Sequence, residues 1–234
     1  MSKHILSPED AEALRQSPVW IFDLDNTLYA ADTDLFAQID QRMGKFICDF
    51  LALSHDEAKN LQKQYFHEHG TTLNGLMLNH GVVPEEFLDY VHDIDYSPIQ
   101  VDGRLDQALD ALPGRKLVYT NGTVAHAENA MKQLKITHHF EAIFDIVAAD
   151  FMPKPRRDPY DKMAREYSID PARAVFVEDM AQNLQAPAEM GMRTVWVHTE
   201  SDWAQAGRDE DFVHFHTADL PGWLSQVAGI GAAG

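Results

Sequence analysis

Five short apolar runs leave this chain few folds to adopt: VWIFD at 19–23, KLVYT at 116–120, IFDIVAAD at 143–150, AVFVED at 174–179 and RTVWVH at 193–198. Each reads as a strand. Between them, residues 124–135 and 158–168 carry helical spacing, and 180–190 runs into Gly191 as a helix stop. Strands and helices that alternate in this way predict an α/β fold with a parallel, Rossmann-like sheet at its core.

From about Thr33 to Tyr96 the rhythm breaks, because no comparable strand is present and the pattern is helical throughout. Leu35, Phe36, Ile39, Met43, Phe46, Ile47, Phe50 and Leu51 recur at three- and four-residue spacing. Ser54-His-Asp-Glu57 reads as a capping box opening a second helix with Ala58, Leu61, Tyr65 and Phe66 on one face, and Pro84-Glu-Glu starts another. The organisation expected is a core of residues 1–30 and 98–234 with a helical insertion over 31–97. An insertion directly after the first strand is placed to cover the carboxyl ends of the sheet strands, where open α/β folds bind ligands. Hinges are expected near 30–33 and 95–99. The lone cysteine, Cys48, can form no intrachain disulfide and reads as a small core residue beside Phe46, Ile47 and Phe50. His67, His69, His138 and His139 read as surface residues.

A formal net charge of −18 argues against a nucleic-acid polymer or an anionic membrane as partner. It still permits a small phosphate ester, since a divalent cation and one or two lysines reverse the field inside a pocket. The start, MSKHILSPEDAEAL, lacks the apolar core of a signal peptide and no stretch approaches the length of a membrane span, so a cytoplasmic location is expected. The terminal GIGAAG reads as frayed.

Four groups of residues bear chemistry, each at or just past the end of a predicted strand. Asp23 and Asp25 put two carboxylates where the chain must leave extended structure, although Asp-Asn-Thr is also common turn chemistry. Tyr119-Thr120-Asn121-Gly122 offers a hydroxyl and accessible backbone N–H groups of the kind that cradle phosphate, or a plain turn. Lys154 stands between Pro153 and Pro155, which fix its position. Glu178 and Asp179, followed by Asn183, pair acids with no lysine nearby in sequence, a pattern of metal sites and also of helix caps.

In this order the Asp-x-Asp motif, the Thr, the Lys and the Glu-Asp pair resemble the haloacid dehalogenase superfamily over nearly the whole chain. The resemblance implies a Rossmann-like core with an inserted helical cap, and a Mg²⁺-dependent phosphatase with Asp23 as the nucleophile that carries a transient phosphoryl group. It assigns Asp25 as the acid that protonates the leaving oxygen and then deprotonates water; dehalogenases of the superfamily lack an acid there. It implies that Mg²⁺ is held by the Asp23 carboxylate, the Asp25 backbone carbonyl and the Asp179 carboxylate, with Glu178 outside them and Asn183 bracing the loop. Thr120, Asn121 and Gly122 would bind phosphoryl oxygens, and Lys154 would bridge nucleophile and transferring group.

FDLDNTLY at 22–29, YFHEHGTTLNGLM at 65–77, VYTNGT at 118–123 and FVEDMAQNL at 176–184 are similar to the pyrimidine 5′-nucleotidase subfamily. That implies a small phosphorylated metabolite as partner, a pyrimidine nucleoside monophosphate, and substrate contacts from Thr71, Thr72 and Asn74 in a cap stretch, Gly70–Gly75, that breaks the helices. Alternatives within the superfamily are another small ester such as pyridoxal phosphate, a sugar phosphate or phosphoglycolate, or a phosphomutase. A monomer or homodimer is expected.

Overall fold

The computed structural model describes residues 6–30, 33, 35–200 and 204–230. Part of the expected hinge at 30–33, the first five residues and most of the terminal GIGAAG lie outside the described residues.

Six parallel strands form one sheet in the order β3-β2-β1-β4-β5-β6. They are β1 (Val19–Phe22), β2 (Arg115–Tyr119), β3 (Ala142–Phe144), β4 (Ala174–Glu178), β5 (Arg193–Val197) and β6 (Phe215–Thr217). Every residue of β1 and β4 is buried, as central strands covered on both faces require. Alternation along β1 divides its side chains between two cores. Trp20 and Phe22 pack with α6 (Gly103–Ala111), α7 (Val124–Leu134) and α10 (Leu220–Ala228), together with Leu14 of α1 (Pro8–Arg15). Val19 and Ile21 pack on the other face with Tyr160 and Met163 of α8 (Arg157–Glu166) and Ala186 of α9 (Gln185–Glu189).

The insertion is helical and has a core of its own. Helices α2 (Leu35–Leu51), α3 (His55–His69), α4 (Thr72–His80) and α5 (Pro84–Val91) bring together Ile39, Ile47, Tyr65, Leu76, Phe87 and Val91. The capping box is present in full: the Ser54 side chain accepts from the Glu57 N–H, and the Glu57 side chain accepts from the Ser54 N–H. Cys48 is half-buried and packs against this core, whereas Phe36 and Phe50 are 41% and 47% exposed.

Three local expectations need correction. The run at 143–150 is strand only to Phe144, because the Asp145 carboxylate accepts from the backbone N–H of Val124 (2.9 Å) and of Ala148 (2.8 Å) and turns the chain. Gly70–Gly75 is not a continuous break. Gly70, at φ +82°, ends α3, Thr71 caps α4, and Gly75 lies inside that helix against Tyr65. His139 is no surface residue: its side chain is 6% exposed and hydrogen-bonds Asp106 at 2.8 Å. No helix among the described residues is long and apolar enough to cross a membrane.

Candidate active site

The strand order places the ends of β2, β1 and β4 side by side, so Thr120, Asp23 and Glu178 emerge at one edge of the sheet. Asp23 extends β1 by one residue, donating its N–H to the Val177 carbonyl at 2.9 Å. The chain then turns through Asn26 at φ +60°, with the Thr27 and Leu28 N–H groups returning to the Leu24 carbonyl. That turn brings the Thr27 hydroxyl to Asp23 Oδ2 at 3.1 Å and leaves the Asp25 carboxylate at the same mouth.

Lys154 is the cation buried at this edge of the sheet. Its Nζ donates to Asp23 Oδ1 and Glu178 Oε2, both at 2.6 Å, and to the Tyr119 carbonyl at 3.2 Å. Its backbone N–H donates to Asn121 Oδ1 at 3.0 Å, so the strand-β2 loop fixes the lysine loop as well as its own backbone. Asp23, Glu178 and Asp179 are all buried around this one positive charge. Burial and the neighbouring Glu178 push the Asp23 carboxyl up to about 8 in spite of Lys154, and burial beside Glu178 and Asp23 raises Asp179 well above the ordinary carboxyl range. Lys154 itself is raised: burial opposes its charge, but the two carboxylates more than compensate.

That imbalance has the chemistry of a hard-cation site. Ligand oxygens of Asp23, Glu178 and Asp179 lie within 4.8 Å of one another. Buried Asp179 Oδ2 and Asn183 Oδ1 have no hydrogen-bond partner, and their oxygens are the donors Mg²⁺ prefers. The residues present therefore fit a divalent cation. The Asn183 backbone carbonyl accepts the Tyr160 hydroxyl at 2.8 Å, which ties the metal-side loop to α8.

Asp25 has partners that sequence reasoning missed. Its Oδ1 accepts from the Tyr29 hydroxyl and from His126 Nε2, the latter at 2.7 Å, while among the described residues Oδ2 meets the Thr120 hydroxyl alone, at 3.3 Å. Burial works against its charge, but His126 and the hydrogen bonds from His126 and Tyr29 hold Asp25 well below the usual carboxyl range. Tyr29 falls inside the first motif, four residues past Asp25, and no periodicity marks it; His126 sits in the first turn of α7, where only the packed fold brings it to Asp25.

Thr120 Oγ1 also accepts the Gly122 N–H at 2.9 Å, so that N–H is engaged within the loop and the hydroxyl is fixed. In the cap, the Thr71 side chain accepts the Asn74 N–H at 3.1 Å, buried Thr72 donates to the Gln62 carbonyl at 3.3 Å, and Asn74 Nδ2 donates to the His69 carbonyl at 2.9 Å. These three side chains hold the α3–α4 corner together. The corner still reaches the site: a Cβ at Gly70 would lie 3.4 Å from the Pro153 ring, next to Lys154.

A family model described as haloacid dehalogenase-like hydrolase matches residues 20–197. Phosphate metabolism protein 8 of Saccharomyces cerevisiae is 29% identical over 203 residues, covering 79% of this chain; the chain spans 62% of that relative's length. A HAD phosphatase from Thermococcus onnurineus has a similar structure, with a TM-score of 0.62 at 16% identity over 92% of this chain and 99% of its own. An L-2-haloacid dehalogenase from Xanthobacter autotrophicus gives 0.58 at 16% identity over the same shares. At such identities the two structures establish a shared fold, and as a phosphatase and a dehalogenase they leave the reaction to the site residues.

Proposed function

The chain belongs to the haloacid dehalogenase-like hydrolases, and on that premise we propose that it is a Mg²⁺-dependent phosphatase of small phosphate monoesters. The observation that carries the reading is the second acid: Asp25 stands two residues past Asp23, at the same mouth, with one oxygen turned to Thr120. Attack on carbon needs no proton donor of this kind, whereas expelling an alkoxide from phosphorus does.

Asp23 attacks phosphorus in line with the leaving oxygen. The bond from Asp23 to phosphorus forms, the ester P–O bond breaks, and Asp25, which is ionised in the empty site and must take up a proton together with the substrate, passes that proton to the leaving oxygen. In the second half a water attacks the phosphorylated Asp23, gives its proton to Asp25, and frees inorganic phosphate with Asp23 restored. Lys154 bonds the nucleophile and would orient it, and the Thr120 hydroxyl and Asn121 N–H would bind phosphoryl oxygens. The Asp23 carboxylate, the Asp25 backbone carbonyl and the Asp179 carboxylate would hold the cation, with Glu178 outside them; a bound Mg²⁺ would offset the charge of carboxylates and phosphoryl group.

For the substrate, the similarity of four segments to pyrimidine 5′-nucleotidases supports a nucleoside 5′-monophosphate, and the α3–α4 corner beside Lys154 supports a cap that contacts the leaving group. The test is phosphate release across nucleoside monophosphates, sugar phosphates, pyridoxal phosphate and phosphoglycolate, with Asp23→Asn as control. Expected are preference for UMP and CMP, silence of the variant with its fold intact, and loss of activity in EDTA that Mg²⁺ restores. Preference for another ester would replace the substrate and keep the mechanism; isomerisation of a sugar phosphate without net release would make the protein a mutase.

A further inference from the structure

The Asp25 carboxylate is held from one side only. Both strong donors, the Tyr29 hydroxyl and His126 Nε2, converge on Oδ1. Oδ2 is left with the long contact to Thr120. His126 is buried, 1% exposed, on the core helix α7, and its other nitrogen, Nδ1, meets the Tyr96 hydroxyl at 2.9 Å. The same Tyr96 hydroxyl lies 3.2 Å from the His92 carbonyl, so it either donates there or to Nδ1; with a partner at each nitrogen the His126 ring is held in one orientation whichever proton arrangement it carries.

Tyr96 lies on the segment by which the chain returns from the cap to the core, and His92, at the end of α5, stacks on the His126 ring at 4.5 Å between centroids and 21° between planes. Burial beside His126 pushes His92 down to about 3, so this stacking partner is neutral. These side chains line a crevice of about 370 Å³ between α5 and α7, at the seam of cap and core.

We infer that His126 is a positioning residue for Asp25: with Tyr29 it occupies Oδ1, so the transferable proton is carried on Oδ2, the oxygen that faces Thr120 and the phosphoryl pocket. The inference rests on the phosphatase reading and assigns it a group that touches neither substrate nor cation. A carboxylic acid has one O–H, and if both donors stay on Oδ1 the proton cannot settle there. When the leaving oxygen departs, the Oδ2–H bond breaks toward it; when water attacks, its proton returns to Oδ2. Without His126 the carboxyl rotates about its Cβ–Cγ bond and presents the proton in the wrong place for part of the time, a loss paid only by reactions that need the proton.

Leaving-group dependence tests this directly. An alkyl phosphate monoester expels a poor leaving group and needs the acid; p-nitrophenyl phosphate expels a phenolate that needs it little. kcat/KM, which ends at the first irreversible step, is to be measured for both with wild type, His126→Met, His126→Gln and Tyr96→Phe. His126→Met should lose roughly tenfold more on the alkyl ester than on the aryl ester. His126→Gln, whose amide nitrogen replaces the Nε2 donor, should recover most of that difference. Tyr96→Phe, which removes only a hydroxyl, should show a smaller loss with the same bias, and it carries the test if His126→Met does not fold. Equal losses on both esters, or none, would overturn the role of His126. Wild type that releases phosphate from neither would overturn the phosphatase reading beneath it.

Discussion

Lys154 holds together charges that would otherwise repel. Its side chain is 2% exposed and it is the cation bonded to Asp23 and Glu178. Lys154→Met keeps the length and apolar stem of the side chain but leaves two buried carboxylates without their partner, a change that typically costs about 3–5 kcal/mol. The expected result is a lower denaturant midpoint in EDTA, partly restored by Mg²⁺, together with a loss of orders of magnitude in turnover that Mg²⁺ does not restore. An unchanged midpoint would mean that the carboxylates are protonated or hydrated once the lysine is gone. Asp23, Asp25, Thr120, Glu178 and Asp179 were legible in the sequence because each stands at or just past a strand end, and strand ends can be read from apolar runs; Lys154, ten residues past the end of β3, was legible from the two prolines that flank it. Tyr96 and His126 were not, because what joins them to Asp25 is the meeting of α7 with the cap's return segment, and that meeting leaves no spacing in the chain; Tyr29 lies inside the first motif, but nothing in the motif shows that its hydroxyl turns back to Asp25.

At the scale of elements, two buried glycines of the cap helices should respond to alanine with opposite signs. Gly75 lies inside α4, where a Cβ would overlap Tyr65 Cγ and lie 2.5 Å from its Cβ, far inside van der Waals contact. Tyr65 is itself buried and hydrogen-bonded to His80 Nε2 at 2.7 Å, so it has little room to yield. Gly75→Ala should destabilise the protein by about 2 kcal/mol. Gly44 lies in α2 with only Gln62 Oε1, at 3.6 Å, near its Cβ position, and Gly44→Ala should stabilise by about 0.5–1 kcal/mol through the entropy of the unfolded chain. Chemical denaturation of both variants checks the pair; equal effects would mean that helix propensity, and not contact with Tyr65, sets the cost. The same geometry explains why α4 escaped the sequence reading. Small residues at 70, 71, 72, 74 and 75 look like a loop, yet Gly75 is small because α3 and α4 approach closely at Tyr65. The strand at 215–217 was missed for a simpler reason, since three residues interrupted by His216 form no apolar run; it is a strand because β5 offers it an edge to pair with.

The whole molecule is acidic, with a formal charge of −18, and its most concentrated buried charge is the cluster of Asp23, Glu178 and Asp179. Asp23 is raised from 3.8 to about 8 by burial and by Glu178, and Asp179 is raised for the same reasons. Between those two pH values the metal-free folded protein therefore holds protons that the unfolded chain has released, and stability falls as pH rises through that window. A divalent cation needs the same carboxyls ionised, so its binding displaces protons and tightens with pH. Stabilisation by a ligand that binds only the folded state grows as the dissociation constant falls. The gain in Tm on adding Mg²⁺ to EDTA-treated protein should accordingly be larger at pH 8 than at pH 6, by an amount that shrinks in Asp23→Asn, where one of the titrating ligands is gone. Thermal unfolding of both proteins at the two pH values, with and without Mg²⁺, makes the comparison. A gain that does not change with pH in the wild type would mean that the cluster is already ionised when empty, with Lys154 alone sufficient to hold three carboxylates apart.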